Sequence, residues 1–178
     1  MRILTGFCLS IFTTQAAAQS NEWKAVSTQA AATFSENVRN ETAMDVAIAM
    51  LHPYYLEVAA ASLGLTPQTM KTAMIQGYAH STEMIDIVDH QVFFQAARFG
   101  NSGAFDWAVF PVQAQAKLTG DPDPFPSTCS FYVVFQDDTK LYSATISRKS
   151  ERSLLFDALP EFLNLPVYDA PNCSQGTS

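Results

Sequence analysis

The densest group of polar side chains in the sequence that could do chemistry is His80, Glu83, Asp86 and His90, spaced three to four residues apart. We predict that the run 81–99 is a helix, on which the last three of these residues share one face. His80 reaches that face from the preceding turn. Carboxylates and imidazoles ligate zinc and similar divalent cations, so the spacing predicts a candidate metal site. The simpler interpretation is the acidic, water-facing stripe of an amphipathic helix.

A second candidate is a ligand-binding site at a proline inside an apolar helical run. Pro53 falls within the run 42–63, where it removes one backbone hydrogen bond and disfavours helical geometry at His52. A break of this kind exposes backbone groups, so His52 and Tyr54 could bind a ligand there. The alternative is a kinked helix whose tyrosine rings pack inside, with their hydroxyls at the rim. No residue is assigned a catalytic role.

The fold is organised around the stretch 129–148, in which two runs of β-branched and aromatic residues flank a polar patch. This pattern predicts a hairpin. With Asp138 and Thr139 as a two-residue loop, Phe135 lies opposite Tyr142. Because side chains alternate along a strand, one face is then apolar. Its members are Phe131, Val133, Phe135, Tyr142, Ala144 and Ile146.

The other face of the hairpin carries a surplus of apolar side chains, among them Tyr132, Val134 and Leu141. An exposed apolar patch of this kind indicates a binding surface for a partner or a small apolar ligand, and Tyr132 is the residue we assign to it. The alternative is that the first helix covers this face with Trp23 and Phe34.

The order of elements predicts an α+β fold. Helices are expected over 21–38, 42–63 with a break at Pro53, 66–78 and 81–99, followed by a strand from Ala108 to Leu118 and the hairpin. A short helix follows near 150–160. We therefore expect N-terminal helices, a three-stranded antiparallel meander and a short C-terminal helix, with the helices packed on one sheet face. Pro111 indicates an edge position or a bulge.

The first residues are typical of a secretory signal peptide. Met1-Arg2 precedes a mostly apolar run, and Ala16-Ala17-Ala18 supplies small residues for cleavage before Gln19. We therefore divide the chain into a signal peptide, 1–18, and a single domain, 19–178. Removal of the leader leaves Cys129 and Cys173, which in an exported chain predicts a disulfide bond.

The net charge of -7 argues against nucleic acid as a partner, because nucleic acid selects basic surfaces. The sequence has no CxxC, HExxH, GxGxxG or phosphate-loop motif, no cofactor is implied, and no membrane-spanning segment follows the leader. The leading hypothesis is a non-catalytic periplasmic or secreted protein that binds an envelope protein or a small apolar ligand. The alternatives are a metal-dependent enzyme or hydrolase using the stretch 80–90, and an acidic immunity-type inhibitor of a basic exported partner.

Overall fold

The computed structural model describes residues 9–38, 43–103 and 105–167. Thr42, the first residue of the second predicted helix, Cys173 and the start of the predicted leader lie outside these ranges. The α-helices are α1 (Leu9–Asn37), α2 (Ala43–Ala49), α3 (Pro53–Ser62), α4 (Pro67–Met84) and α5 (Lys149–Ala158). The strands are β1 (Ile85–Val92), β2 (Arg98–Ser102), β3 (Phe105–Leu118), β4 (Thr128–Asp137) and β5 (Lys140–Ile146).

Local signals set the helix boundaries in the first half of the chain. The predicted break at Pro53 is confirmed, because α2 ends before it and α3 begins at it. Gly64, with a φ of 68°, ends α3, and the Leu65 amide donates to the Ala60 carbonyl at 2.9 Å, as in a Schellman motif. The Thr66 hydroxyl accepts from the Thr69 amide at 3.1 Å and caps α4.

The sheet is antiparallel, and its hairpin has the predicted register. Phe135 pairs with Tyr142, Val133 with Ala144 and Phe131 with Ile146. The sheet is larger than the predicted three-stranded meander, because β1 and β2 also pair with β3 and give the order β1-β3-β4-β5 with β2 beside β3. The α+β class is confirmed, and the strand count was too low.

The predicted helix over 81–99 is wrong, because Ile85–Val92 forms strand β1. The apolar residues Ile85, Val88 and Val92 have the spacing of a helix. In the structure they lie on a strand whose pairing with β3 shifts by one residue. Ile87 pairs with Ala116 and Asp89 with Gln115, so Val88 is an extra residue that shifts the register. A bulge of this kind changes which side chains share a face, and it imitates helical spacing in the sequence.

An edge position or a bulge was predicted at Pro111. Strand β3 is central in the sheet, but Pro111 lies opposite a gap between the partners β1 and β2. The carbonyl of Pro111 accepts from the Phe93 amide at 2.9 Å. Phe93 lies in the connection between β1 and β2, both of which pair with this side of β3. The N and C=O of one strand residue point to the same side. The proline nitrogen therefore faces this gap, where a missing N–H interrupts no ladder.

Helices cover both faces of the sheet, which corrects the prediction of one covered face. The α1 face holds the even-numbered residues of β3 and β4, and α1 packs on it through Trp23, Ala31 and Phe34. The α5 face holds the odd-numbered residues of the same strands, and α5 with the following segment packs on it through Leu155, Phe162 and Leu165. Both clusters exclude water from large aromatic side chains, which is the main driving force for folding.

In the part of the chain that the structure describes, no helix has both the length and the apolar character required to cross a membrane.

Candidate functional site

A cavity of about 1050 Å³ lies beside the α1 face of the sheet. Its floor is formed by Tyr132, Leu141 and Ser143, and its walls come from α1, α2, α3, α4 and the first turn of α5. This volume is in the range of sites that enclose a drug-sized molecule.

The cavity exists because α1 crosses the sheet without filling the space next to β5. Trp23 and Ala31 are buried against the residues of β3 and β4, and the ring of Phe34 stacks on Tyr132 with centroids 4.0 Å apart. Beyond this contact, Val26 and Val46 on α1 and α2 line the cavity and stay more than a third exposed. Apolar side chains thus face an open volume rather than one another.

Tyrosines from separate elements bring neutral hydroxyl groups into this apolar space. Tyr55 on α3, Tyr78 on α4 and Tyr132 on β4 all line the cavity. Burial raises the pKa of each phenol above its ordinary value of 10.0. For Tyr55 the nearby Glu151 carboxylate raises the pKa further, whereas for Tyr132 a side-chain hydrogen bond with Ser143 acts in the opposite direction. At neutral pH these groups offer hydrogen bonds without charge.

Glu151 is the charged group among the described lining residues. It is held by its position in the first turn of α5, where its Oε2 accepts from the amides of Ser147 at 2.6 Å and Arg148 at 2.9 Å. These bonds satisfy two amides at the helix start. They also fix the carboxylate of a half-buried residue that lines the cavity.

The residues predicted to bind a ligand do not form one site. Tyr132 lines the cavity, but His52 and Tyr54 lie outside its lining. His52 is buried at the start of α3, where its Nδ1 accepts from the Tyr54 amide at 3.3 Å and its ring contacts Tyr142 at 4.6 Å on the α5 face. Tyr54 is 60% exposed. The imidazole is thus a helix cap packed among aromatic rings.

The four residues of the predicted metal site are divided between two elements. His80 and Glu83 lie on α4, exposed, with Nδ1 and Oε2 3.6 Å apart. Asp86 and His90 lie on β1, opposite Lys117 and Ala114 respectively. These partners lie on opposite sheet faces, so the bulge separates Asp86 from His90.

The environment of each strand residue agrees with this division. Nδ1 of His90 forms a hydrogen bond with the Ser35 hydroxyl at 3.1 Å, and the imidazole ring packs edge-to-face against Phe34. Both partners lie on α1. Asp86 accepts from the Thr119 hydroxyl at 3.3 Å. Among the described residues, no three His, Cys, Asp or Glu side chains are placed to hold a metal ion, and the single helical face from which the site was predicted does not form.

Cys129 lies half-buried near the start of β4. Its predicted partner, Cys173, is outside the described ranges, so the disulfide stays a prediction.

Sequence reasoning found Tyr132 and missed most of the cavity. Met74 and Tyr78 are four residues apart on α4, and this spacing on an otherwise exposed helix was the available signal. Glu151 stands three residues after Arg148, which is the spacing of a capping box and carries no signal for a cavity.

No family model matches the chain, and neither the curated proteins nor the solved structures searched contain a match to it.

Proposed function

We propose that this protein is a non-catalytic binding protein that holds a small apolar molecule in the cavity over the α1 face. The observation that carries the proposal is the cavity itself, with a volume of about 1050 Å³ and walls built mostly from aliphatic and aromatic side chains. Removing an apolar molecule from water into such a site is favourable in proportion to the area buried. Neutral phenols at its floor and walls supply hydrogen bonds that orient a ligand.

The proposal includes export. The predicted leader 1–18 and the predicted pairing of Cys129 with Cys173 are the sequence features behind a periplasmic or secreted location, since disulfide bonds persist in oxidising compartments. Such a bond would stabilise the domain by on the order of 3–4 kcal/mol in the chain-entropy description. The described residues add no observation in favour of the metal-dependent enzyme or the acidic inhibitor, and both stay predictions.

The test is to fill the cavity and measure binding of an uncharged fluorescent probe, N-phenyl-naphthylamine. Ala30 on α1 lines the cavity and is half-buried, so Ala30→Trp places an indole in the ligand volume. We expect the affinity for the probe to fall at least about tenfold, a loss of roughly 1.4 kcal/mol. Ala47→Trp, from the α2 wall, should have the same effect.

The matched control is Ala61→Trp, because Ala61 is exposed on α3 and does not line the cavity. Circular dichroism and thermal unfolding establish that each variant is folded. Probe binding that is equal in the wild type, Ala30→Trp and Ala47→Trp would disprove a ligand site in the cavity.

A further inference from the structure

We propose that the natural occupant of the cavity is a cationic amphiphile, an apolar chain or ring system that carries one ammonium group. This inference rests on the proposed function and specifies the ligand class for the same cavity. The ammonium group lies at the end formed by Glu151 and Tyr55, and the apolar body fills the volume between α1, α2 and the sheet.

The charges around the cavity favour a cation over an anion. The described lining residues include one carboxylate, Glu151, and no Lys, Arg or His. A carboxylate or phosphate head group would therefore lie beside a negative charge and find no counter-ion among the described lining residues, which is unfavourable. A cationic group would instead be attracted by the Glu151 carboxylate. The net charge of -7 adds a long-range field of the same sign.

Glu151 is held in place by backbone amides. The two described bonds to its Oε2 come from the neutral amides of Ser147 and Arg148. These amides orient the carboxylate without neutralising its charge, so it keeps the capacity to pair with a cation in the cavity. The influence of this charge reaches Tyr55, whose pKa it raises in addition to the effect of burial.

The aromatic residues of the lining also suit an ammonium group. The aromatic residues Phe34, Tyr55, Tyr78 and Tyr132 line the same volume, and the rings of Phe34 and Tyr132 stack on each other. Aromatic faces attract cations through the ring quadrupole, and enclosures of aromatic rings with a carboxylate recognise ammonium groups. The tyrosines are uncharged at physiological pH, since the ordinary pKa of a phenol is 10.0 and burial raises it. The site thus combines apolar walls, ring faces and one oriented carboxylate.

The experiment compares three probes with the same dodecyl chain, each used below its micelle concentration: dodecyltrimethylammonium, dodecanol and dodecanoate. Calorimetry or competition with N-phenyl-naphthylamine gives each affinity. We expect the ammonium probe to bind most tightly and dodecanoate most weakly. Glu151→Gln keeps an oxygen acceptor for the capping amides. It should weaken binding of the ammonium probe by about fivefold to tenfold and leave dodecanol unchanged.

The control for charge is Glu57→Gln, since Glu57 is exposed on α3 and does not line the cavity. It removes the same charge from the protein and should leave the order of the probes unchanged. If all three probes bind with equal affinity, or dodecanoate binds best, the cationic ligand is disproved while the binding function stands. If no probe binds to the folded wild type, the proposed function fails as well.

Discussion

At the scale of single residues, the close approach of Gly100 to Trp107 makes a specific demand on the sequence. A Cβ at Gly100 would lie 2.3 Å from Cζ2 of the Trp107 ring. The indole is held beside this contact, because its Nε1 donates to the Ser102 hydroxyl at 2.9 Å. The backbone carbonyl of Trp107 accepts from Nε1 of Trp23 at 3.3 Å, which holds the strand residue itself against α1. The ring therefore has little room to move away.

We expect Gly100→Ala to lower the free energy of unfolding by about 1–3 kcal/mol, the usual cost of overpacking. Gly77→Ala provides the matched control. Gly77 lies inside α4 with open space around it, so alanine there should stabilise the helix by about 0.5–1 kcal/mol. Urea unfolding of both variants measures the difference. Equal effects would show that Trp107 does not require glycine beside it.

At the scale of elements, the hairpin was predictable because its information is local. Alternating apolar residues fix the register of β4 and β5, and a shift by one residue would place polar side chains in the core. Strand β1 was not predictable by the same reasoning. Val88 interrupts the alternation of Ile85 and Ile87, and the pairing with β3 that selects a strand involves residues near Leu118, far along the chain. Tertiary pairing overrides an ambiguous local period.

The turn of the hairpin leads to a further prediction. Asp138 has a φ of 51°, a conformation that glycine adopts freely and that β-branched residues strongly disfavour. We expect Asp138→Val to lower the free energy of unfolding by about 1–2 kcal/mol relative to Asp138→Gly. Thr139→Val, at the neighbouring turn position, should have a smaller effect. Chemical unfolding of the three variants tests this, and equal stability of Asp138→Val and Asp138→Gly would contradict the left-handed turn.

At the scale of the whole molecule, the candidate site is assembled from segments that are remote in sequence. Tyr55, Tyr78 and Tyr132 belong to α3, α4 and β4, and they meet only after the helices dock on the sheet. Local patterns predicted these elements or parts of them, but not the volume left between them. The four residues of the predicted metal site lie on two elements for a related reason, since their spacing gives one face only on a helix and the chain forms a strand from Ile85 onward.

The same three tyrosines link the stability of the molecule to pH. Their pKa values are raised in the folded state, so above pH 10 the unfolded chain releases its phenolic protons first. Their contribution is complete below about pH 10 and is lost as the pH rises through the folded-state pKa values. We expect the free energy of unfolding to fall with pH above this point. In a triple variant with phenylalanine at all three positions, the free energy of unfolding should decrease less steeply with pH. Urea unfolding between pH 8 and pH 11, at roughly one-unit intervals, measures this.

The variant also separates the tyrosines from lysine side chains, which titrate in a similar pH range and are present in both proteins. If the wild type and the triple variant lose stability with the same slope, the tyrosines are not the cause.

The backbone contact between the α2–α3 connection and β5 has a consequence for association between chains. The outer strand of a sheet is a template for a foreign strand, and many proteins protect it against aggregation. Here the Met50 carbonyl accepts from the Ser143 amide at 2.8 Å. A strand from another molecule could pair with β5 at Ser143 only after it displaced this connection. The segment that forms one wall of the cavity therefore also blocks strand addition at this edge of the sheet.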